Sequence, residues 1–145
     1  MPNETIRKFG YPETLLAEYE HWVVLLRPKQ VTAGSMVLAC KEEAAALGEV
    51  SAGAWAELAR AARDLEEAAR TAFAYDRINY LALMMVDPHV HFHVLPRYAA
   101  EREIDGVVFH DAAWPKPPDI TTAVELAPDA LNGLVERLRA HWPLS

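Results

Sequence analysis

Three histidines occupy every second position in the segment MMVDPHVHFHVLPRY, which spans residues 84–98. They are His89, His91 and His93, half of the six histidines in the chain. The residues that alternate with them are apolar, namely Val90, Phe92 and Val94. Side chains alternate between the two faces of a β-strand, so this spacing predicts a strand with three imidazoles on one face. The apolar face is expected to pack under a helix, which leaves the imidazoles facing solvent or a cleft.

Three kinds of site are compatible with this arrangement. The first is a polar strand face with no chemistry. The second is a metal centre, since histidine is the commonest zinc ligand. On a straight strand with ~3.3 Å rise per residue, the outer two Cα atoms would lie roughly 13 Å apart, whereas a tetrahedral zinc holds its nitrogens ~2.0–2.1 Å away. A neighbouring pair would therefore need further ligands, and the candidates in the sequence are Asp87, His21 and His110.

The third kind of site uses imidazole as nucleophile and acid. A neutral imidazole can attack phosphorus and form a covalent intermediate that water later hydrolyses. Flanking histidines can hold phosphate oxygens near neutral pH and pass a proton to the leaving group. The middle histidine, His91, is the one with a partner on each side. The strict alternation of all three favours this chemistry over the other two.

The composition indicates a single cytoplasmic globular domain. The chain has 145 residues, of which 52% are hydrophobic, and a formal net charge of −7. That length supports one core rather than two, and an acidic chain does not suit non-specific binding of DNA or RNA. Cys40 is the single cysteine, so no intrachain disulfide is predicted and a reducing compartment is expected. With no signal-peptide core and no apolar run of ~18–20 residues, no membrane partner is predicted.

The pattern along the chain predicts an α+β fold, an antiparallel sheet of about five strands with one long helix and a C-terminal helix. Leu58, Ala62, Leu65 and Ala69 recur at three- and four-residue steps, which is typical of an amphipathic helix, and Ser51 is a suitable N-cap. Short apolar runs bounded by turn residues predict the strands. Residues 14–28 are predicted to form one or two strands, the stronger being 22–26, and the other predicted strands are 35–40, 77–86 and 89–98. The long helix is 51–75, and the C-terminal helix begins near Pro128.

The stretch HVHFHVLPRY resembles the signature of the histidine triad superfamily, in which His-x-His-x-His, with apolar x, is followed by two apolar residues. The wider stretch RINYLALMMVDPHVHFHVLPRY resembles the bacterial branch related to diadenosine tetraphosphate hydrolases. The resemblance covers about residues 12–100 of a single domain spanning 1–145, with residues 101–145 as a C-terminal extension. It implies a two-fold homodimer in which two five-stranded sheets join into one.

The resemblance also implies roles for the three histidines. The middle one, His91, would attack the α-phosphate of a nucleotide or dinucleoside polyphosphate and become nucleotidylated before water releases the product. His89 would help to orient that ring, partly through its backbone carbonyl. His93 would contact phosphate and assist the leaving group. The covalent step needs no metal in this family, so no cofactor is predicted.

Five further residues are candidates for substrate binding. Arg27 falls about where relatives carry a ribose-contacting asparagine, and Lys29 and Gln30 follow it in the same turn. Asn79 matches an asparagine common in the related Lys-x-Asn segment, and Arg97 belongs to the Pro-Arg ending after the triad. Structural alternatives remain open: ordinary charges beside a turn for Arg27 and Lys29, a strand-end hydrogen bond for Asn79, and an ion pair for Arg97.

One departure from the family pattern concerns the substrate. Close relatives often carry Gly-Asn a few residues before the triad, where this chain has Met84 and Met85. Methionine cannot donate the hydrogen bonds of that asparagine and is expected to pack instead. Two rival hypotheses follow from these considerations, a non-catalytic nucleotide-binding module and a metal-dependent enzyme that uses two of the histidines.

Overall fold

Three α-helices and nine strands occur within residues 2–143, the part of the chain that this computed structural model describes. A short 3-10 helix, Leu47–Glu49, precedes the longest helix. In chain order the helices and strands are α1 (Glu4–Lys8), β1 (Leu15–Glu18), β2 (Trp22–Leu26), β3 (Lys29–Gln30), β4 (Met36–Cys40), α2 (Ala52–Phe73), β5 (Arg77–Leu81), β6 (His91–Arg97), β7 (Arg102–Ile104), β8 (Val107–Phe109), β9 (Val124–Glu125) and α3 (Pro128–His141).

The main sheet has five antiparallel strands in the order β1-β2-β4-β6-β5. Two small two-stranded sheets, β3 with β9 and β7 with β8, lie outside it. The predicted α+β class and the five-stranded antiparallel sheet are therefore confirmed. So is the predicted hairpin, because β2 pairs with β4 from Trp22 opposite Cys40 to Leu26 opposite Met36.

The sheet buries both of its faces, and the two faces carry different cores. One face packs against α2 and α3, and it takes the even-numbered positions of β2 and β4. Those residues are Trp22, Val24, Leu26, Met36, Leu38 and Cys40. The opposite face holds a smaller apolar cluster, formed by Ile6, Phe9, Val23, Leu25, Val37 and Ala39. Because Ile6 belongs to α1 and Phe9 follows it directly, the N-terminal segment covers that second face.

Helix α2 forms where the three- and four-residue spacing predicted it. The Ser51 hydroxyl accepts a hydrogen bond from the Ala54 amide at 3.1 Å, which satisfies one of the free N–H groups of the first turn. Ala61, Leu65 and Ala68 are buried along the face that meets the sheet. Val90, Phe92 and Val94 pack into the same core, as their alternation predicted.

Two strand boundaries differ from the prediction. Strand β5 ends at Leu81 rather than at residue 86, and residues 82–90 form an irregular loop in which Met84 has a φ of 38°. Strand β6 begins at His91, so His89 lies in the loop and the three imidazoles do not share one strand face. Pro88 contributes to this result because it has no backbone N–H to donate to a sheet.

Helix α1 is an element that the sequence analysis did not predict. Asn3 caps it by accepting a hydrogen bond from the Ile6 amide at 3.0 Å, and its own side-chain amide donates to the Cys40 carbonyl at 3.0 Å. The N-cap residue of α1 is therefore hydrogen-bonded to the last residue of β4. None of the helices within residues 2–143 has the length and apolar character needed to cross a membrane.

Candidate active site

His91 and His93 lie side by side on the face of the sheet that α1 covers. Their ring centroids are 5.0 Å apart with an interplanar angle of 81°. Phe9 packs against both rings, with a centroid distance of 5.7 Å to each. The two histidines are only 2% and 6% exposed. The cross-strand neighbours Ala39 and Val37 are smaller residues on β4, which leaves room for imidazoles at these positions.

A hydrogen bond to the main chain determines which nitrogen of His91 carries the proton. The Nδ1 atom lies 2.7 Å from the backbone carbonyl oxygen of His89. A carbonyl oxygen can only accept, so Nδ1 must be the protonated nitrogen. In the neutral ring the lone pair then resides on Nε2, for which residues 2–143 offer no hydrogen-bond partner. An imidazole in that form can act as a nucleophile or as a metal ligand.

A pocket of about 460 Å³ opens beside the two histidines. Three basic residues line it, namely Lys8, Arg27 and Lys29. Apolar side chains supply most of the remaining lining, namely Phe9, Pro28, Leu83, Met85 and Val86. The pocket therefore combines positive charge with an apolar wall, which suits an organic anion such as a phosphate ester.

Two side-chain nitrogen atoms of residues that line this pocket are buried without a hydrogen-bond partner. They are Nδ1 of His93 and Nε of Arg27. Arg27 does donate from Nη1 to the Lys29 carbonyl at 2.7 Å, and burial lowers the pKa of its guanidinium. Buried polar atoms are nearly always hydrogen-bonded in proteins, so these two nitrogens are unusual among the buried polar atoms of the site.

The environment of His93 opposes its charged form. Burial is the main cause, and the neighbouring His91 and Arg27 add to it, while Asp87 acts in the opposite direction. Together they lower the pKa of His93 to about 4. His93 is thus neutral near pH 7 in the absence of ligand. An anion bound beside it would raise its pKa and favour proton uptake.

We expect the His93 ring to titrate with a midpoint near pH 4 rather than at its ordinary value near 6.5, measured by NMR. Because the unfolded chain binds the proton at higher pH than the folded chain, this group stabilises the fold fully above about pH 6.5. That contribution is lost as the pH falls from about 6.5 to about 4.

Urea unfolding at several pH values checks this expectation. The variant His93→Gln should lose this component of the pH dependence, whereas His110→Gln, which removes an exposed histidine, should keep the wild-type dependence. A His93 midpoint near 6.5 would contradict the proposed burial effect.

Of the three candidates in the first turn, the structure brings Arg27 and Lys29 to the pocket but not Gln30. Gln30 is fully buried and uses both ends of its amide within the turn. Its Nε2 donates to the carbonyls of Arg27 and Ser35, and its Oε1 accepts from the amides of Gly34 and Ser35. Gln30 therefore shapes the turn that carries Arg27, and no polar atom of its side chain is left for a ligand.

Asn79 and Arg97 do not reach the histidine pocket. Arg97 is buried, and its guanidinium donates to Asp111 at 2.6 and 3.1 Å, to the Lys116 carbonyl at 2.8 Å and to Oδ1 of Asn79 at 2.8 Å. The structural alternative considered for Arg97, an ion pair, is the one observed. Arg97 lies at the far end of β6 from His91, where the C-terminal extension packs against the sheet.

The two methionines before the triad differ from each other. Met84 packs against the main core, as expected, whereas Met85 is 80% exposed and lines the pocket. The adjacent Val86 is 85% exposed. The next residue, Asp87, pairs through its carboxylate with Lys8 of α1 at 2.6 Å. This ion pair links the loop to α1 beside the pocket.

The ligand geometry does not favour a metal at these histidines. Within residues 2–143, one set of three His, Cys, Asp or Glu side chains brings its ligand atoms within 4.8 Å of one another, and it consists of Glu20, His21 and Glu57. His21 is therefore part of a different cluster, and His110 does not line the pocket. Asp87 is adjacent, but it is engaged by Lys8.

Solved structures share this architecture. A histidine triad protein from Bradyrhizobium japonicum matches with a TM-score of 0.74 at 16% sequence identity, over 98% of this chain and 97% of its own. A second one, from Sinorhizobium meliloti 1021, gives a TM-score of 0.75 at 15% identity, over 97% of this chain and 96% of its own. The chain has the histidine triad fold.

A more distant match is a zinc-bound histidine triad family protein from Mycobacterium smegmatis, with a TM-score of 0.60 and 20% identity, over 94% of this chain and 88% of that one. No protein-family model and no curated protein matches the sequence. At such identities the comparisons establish the histidine triad fold alone. The chemistry must be argued from the side chains.

The sequence analysis missed four residues around the three histidines; Thr5, Phe9 and Glu43 contact their rings, and Lys8 pairs with Asp87 beside the pocket. Thr5, Lys8 and Phe9 come from the N-terminal segment, and Glu43 approaches His89 from the loop after β4. The signal that could have revealed α1 is Asn3, a favourable N-cap, followed by the apolar pair Ile6 and Phe9 at helical spacing. Nothing in the local sequence indicates that this helix would lie on the histidines.

Proposed function

We propose that this protein is a nucleotide hydrolase or nucleotidyl transferase that cleaves at the α-phosphate of a nucleoside phosphoanhydride or phosphoramidate. The observation that supports this proposal best is the hydrogen bond from His91 Nδ1 to the His89 carbonyl. It leaves the Nε2 lone pair of a pocket-lining imidazole free for attack on phosphorus. The basic residues of the same pocket suit the charge of a phosphate.

The proposed reaction has two steps, and in each step His91 forms or breaks the bond to phosphorus while His93 moves the proton. In the first, Nε2 of His91 attacks the α-phosphorus while the bond from phosphorus to the leaving group breaks. His93, protonated once the anionic substrate is bound, gives its proton to the leaving group. In the second step water attacks phosphorus, the phosphorus–nitrogen bond breaks and neutral His93 takes the proton of the water. The product is a nucleoside monophosphate, and His91 is regenerated.

Arg27 and Lys29 are proposed to bind the phosphate of the substrate. Arg27 lines the pocket, and its planar guanidinium can hold two phosphate oxygens at once. Lys29 is an exposed cation at the same pocket. Lys8 is already neutralised by Asp87, so the pocket keeps about two free positive charges. Two positive charges suit a substrate with one phosphate group better than one with a long polyphosphate chain.

The apolar loop bears on which nucleotide is cleaved. Met84 and Met85 stand where relatives often carry Gly-Asn, and the exposed Met85 and Val86 offer no hydrogen-bond donor to a phosphate from their side chains. Diadenosine tetraphosphate is therefore the less favoured of the two substrate types. Because the loop lacks these donors, the second candidate function is a non-catalytic nucleotide-binding module.

We further propose that the protein acts as a cytoplasmic homodimer. Within residues 2–143, β5 is an edge strand of the main sheet, paired only with β6. A free edge of this kind is usually covered, and a second copy could extend the sheet across it. The proposed dimer can be tested by measuring the mass of the purified protein in solution.

A product assay tests the proposed activity. Purified protein is incubated with diadenosine tetraphosphate and, separately, with adenosine 5′-phosphoramidate, each with and without EDTA, and the products are resolved by mass. We expect AMP in the presence of EDTA, since the attack uses imidazole and no metal. We also expect the phosphoramidate to be the faster substrate, because it carries one phosphate.

The other outcomes identify the rival hypotheses. AMP that forms only without EDTA would support the metal-dependent enzyme. Nucleotide binding measured by calorimetry with no AMP from either compound would support the binding module. The absence of both binding and product would overturn the proposal for adenine nucleotides.

A further inference from the structure

Thr5 of α1 contacts both the main chain and the ring of His89. Its hydroxyl oxygen lies 3.1 Å from Nδ1 of the His89 imidazole and 3.3 Å from the His89 amide nitrogen. Thr5 is 2% exposed and does not line the histidine pocket. The residue is thus placed to hold His89 without contacting a ligand in that pocket.

The hydrogen-bond roles in this contact follow from the second nitrogen of the ring. Nε2 of His89 lies 2.7 Å from a carboxylate oxygen of Glu43. An ionised carboxylate only accepts, so Nε2 carries a proton, and in the neutral ring Nδ1 is an acceptor. The Thr5 hydroxyl then donates to Nδ1 while its oxygen accepts the His89 amide proton. One side chain satisfies two groups of residue 89.

His89 needs such a contact because the sheet does not hold it. Strand β6 begins at His91, and residues 82–90 are irregular. Val90 is fixed by its own main-chain bonds, from its amide to Ala44 and from the Cys40 amide to its carbonyl. The Val90 amide and the His89 carbonyl belong to the same planar peptide group, so the bond to Ala44 holds that group from one side while its carbonyl accepts from Nδ1 of His91. Thr5 therefore holds residue 89 on the N-terminal side of the peptide group whose carbonyl sets the tautomer of His91.

We propose that Thr5 is a positioning residue, which holds His89 so that its carbonyl keeps His91 in the Nδ1-protonated form with Nε2 free. The effect on turnover rests on the proposed function. The effect on the His91 ring does not, because it can be observed without any substrate. A short N-terminal helix, 84 residues before His89 in the chain, would in this way control the reactive nitrogen.

The test compares three variants by nitrogen-15 NMR of the histidine rings and by turnover of adenosine 5′-phosphoramidate. Thr5→Val removes the hydroxyl at nearly constant volume, and Thr5→Ser retains it. Thr32→Val is the matched control, since Thr32 is also 2% exposed but has no contact with the histidines. Thr5→Ala is the substitute for Thr5→Val if valine prevents folding, because it removes the same hydroxyl without adding a branch.

In the wild type and in Thr5→Ser we expect His91 to be protonated at Nδ1. In Thr5→Val we expect a mixture of the two tautomers and kcat lower by about tenfold, the change typical for loss of one orienting hydrogen bond. KM should stay within about twofold, since Thr5 does not line the pocket. Thr32→Val should match the wild type in both measurements.

An unchanged His91 tautomer in Thr5→Val, or an equal loss in Thr5→Ser, would overturn the inference. If the wild type turns over no nucleotide, the proposed function fails. The ring spectra of the same variants still decide the role of Thr5. The two failures are therefore distinguishable.

Discussion

Replacing His91 by glutamine is expected to lower kcat for AMP release by about 10³-fold or more while the fold persists. Glutamine has no nitrogen able to form the covalent intermediate, but its side-chain amide can still donate to the His89 carbonyl that His91 now contacts at 2.7 Å. It also fills most of the buried volume of the imidazole. The loss should therefore concern chemistry rather than packing, and nucleotide binding should remain measurable.

The measurement combines steady-state AMP formation with mass spectrometry of acid-sensitive adducts quenched during turnover. The wild type should show a nucleotide attached to the peptide that contains His91, and His91→Gln should show none. His21→Gln is the matched control, since His21 is a partly buried histidine that does not line the pocket. It should retain wild-type turnover. Substantial AMP formation by His91→Gln would rule out the covalent mechanism.

Removing one partner of the buried Arg97–Asp111 pair is expected to have the largest effect on stability. Both side chains are almost completely buried, and the Asp111 carboxylate also accepts from the Tyr98 amide at 3.2 Å. Arg97→Met would leave a buried carboxylate without its counter-charge, which typically costs about 3–5 kcal/mol. We expect a loss of that size in the free energy of unfolding measured with urea.

Two comparisons test the physical reason. The double variant Arg97→Met, Asp111→Leu should recover part of the loss, because it removes both buried charges together. Arg137→Met removes a partner of the Asp105 ion pair, whose side chains are 36% and 50% exposed, and should cost less than about 1 kcal/mol. If Arg97→Met kept wild-type stability but raised KM, Arg97 would act on substrate after all.

The two kinds of residue that line the pocket bear on the choice of substrate. Its basic residues and the neutral His93 suit a phosphate, and its apolar wall is formed by Met85 and Val86 of the loop before the triad. From these two kinds of lining we expect a nucleotide with a small or apolar leaving group to be preferred over a long polyphosphate. The two-substrate assay measures that preference directly.

The sequence by itself determined the features that depend on local spacing. Ser51 and the three- and four-residue steps after it predict α2, because a helix repeats every 3.6 residues. The alternation from Val90 to Val94 predicts a strand with one apolar face, because side chains alternate along a strand. The alternation also identified His91 and His93 as neighbours, and their rings are 5.0 Å apart.

Only the tertiary structure decided which other residues join them. Thr5 and His89 are separated by 84 residues along the chain, so no spacing rule could link them. Arg97 lies an even number of residues after His91 and His93 on β6, as residues on one strand face do. Its guanidinium nevertheless pairs with Asp111 in the C-terminal extension and does not reach the pocket. A buried charge must be paired. Long-range packing, rather than local sequence, decides which residue becomes the partner.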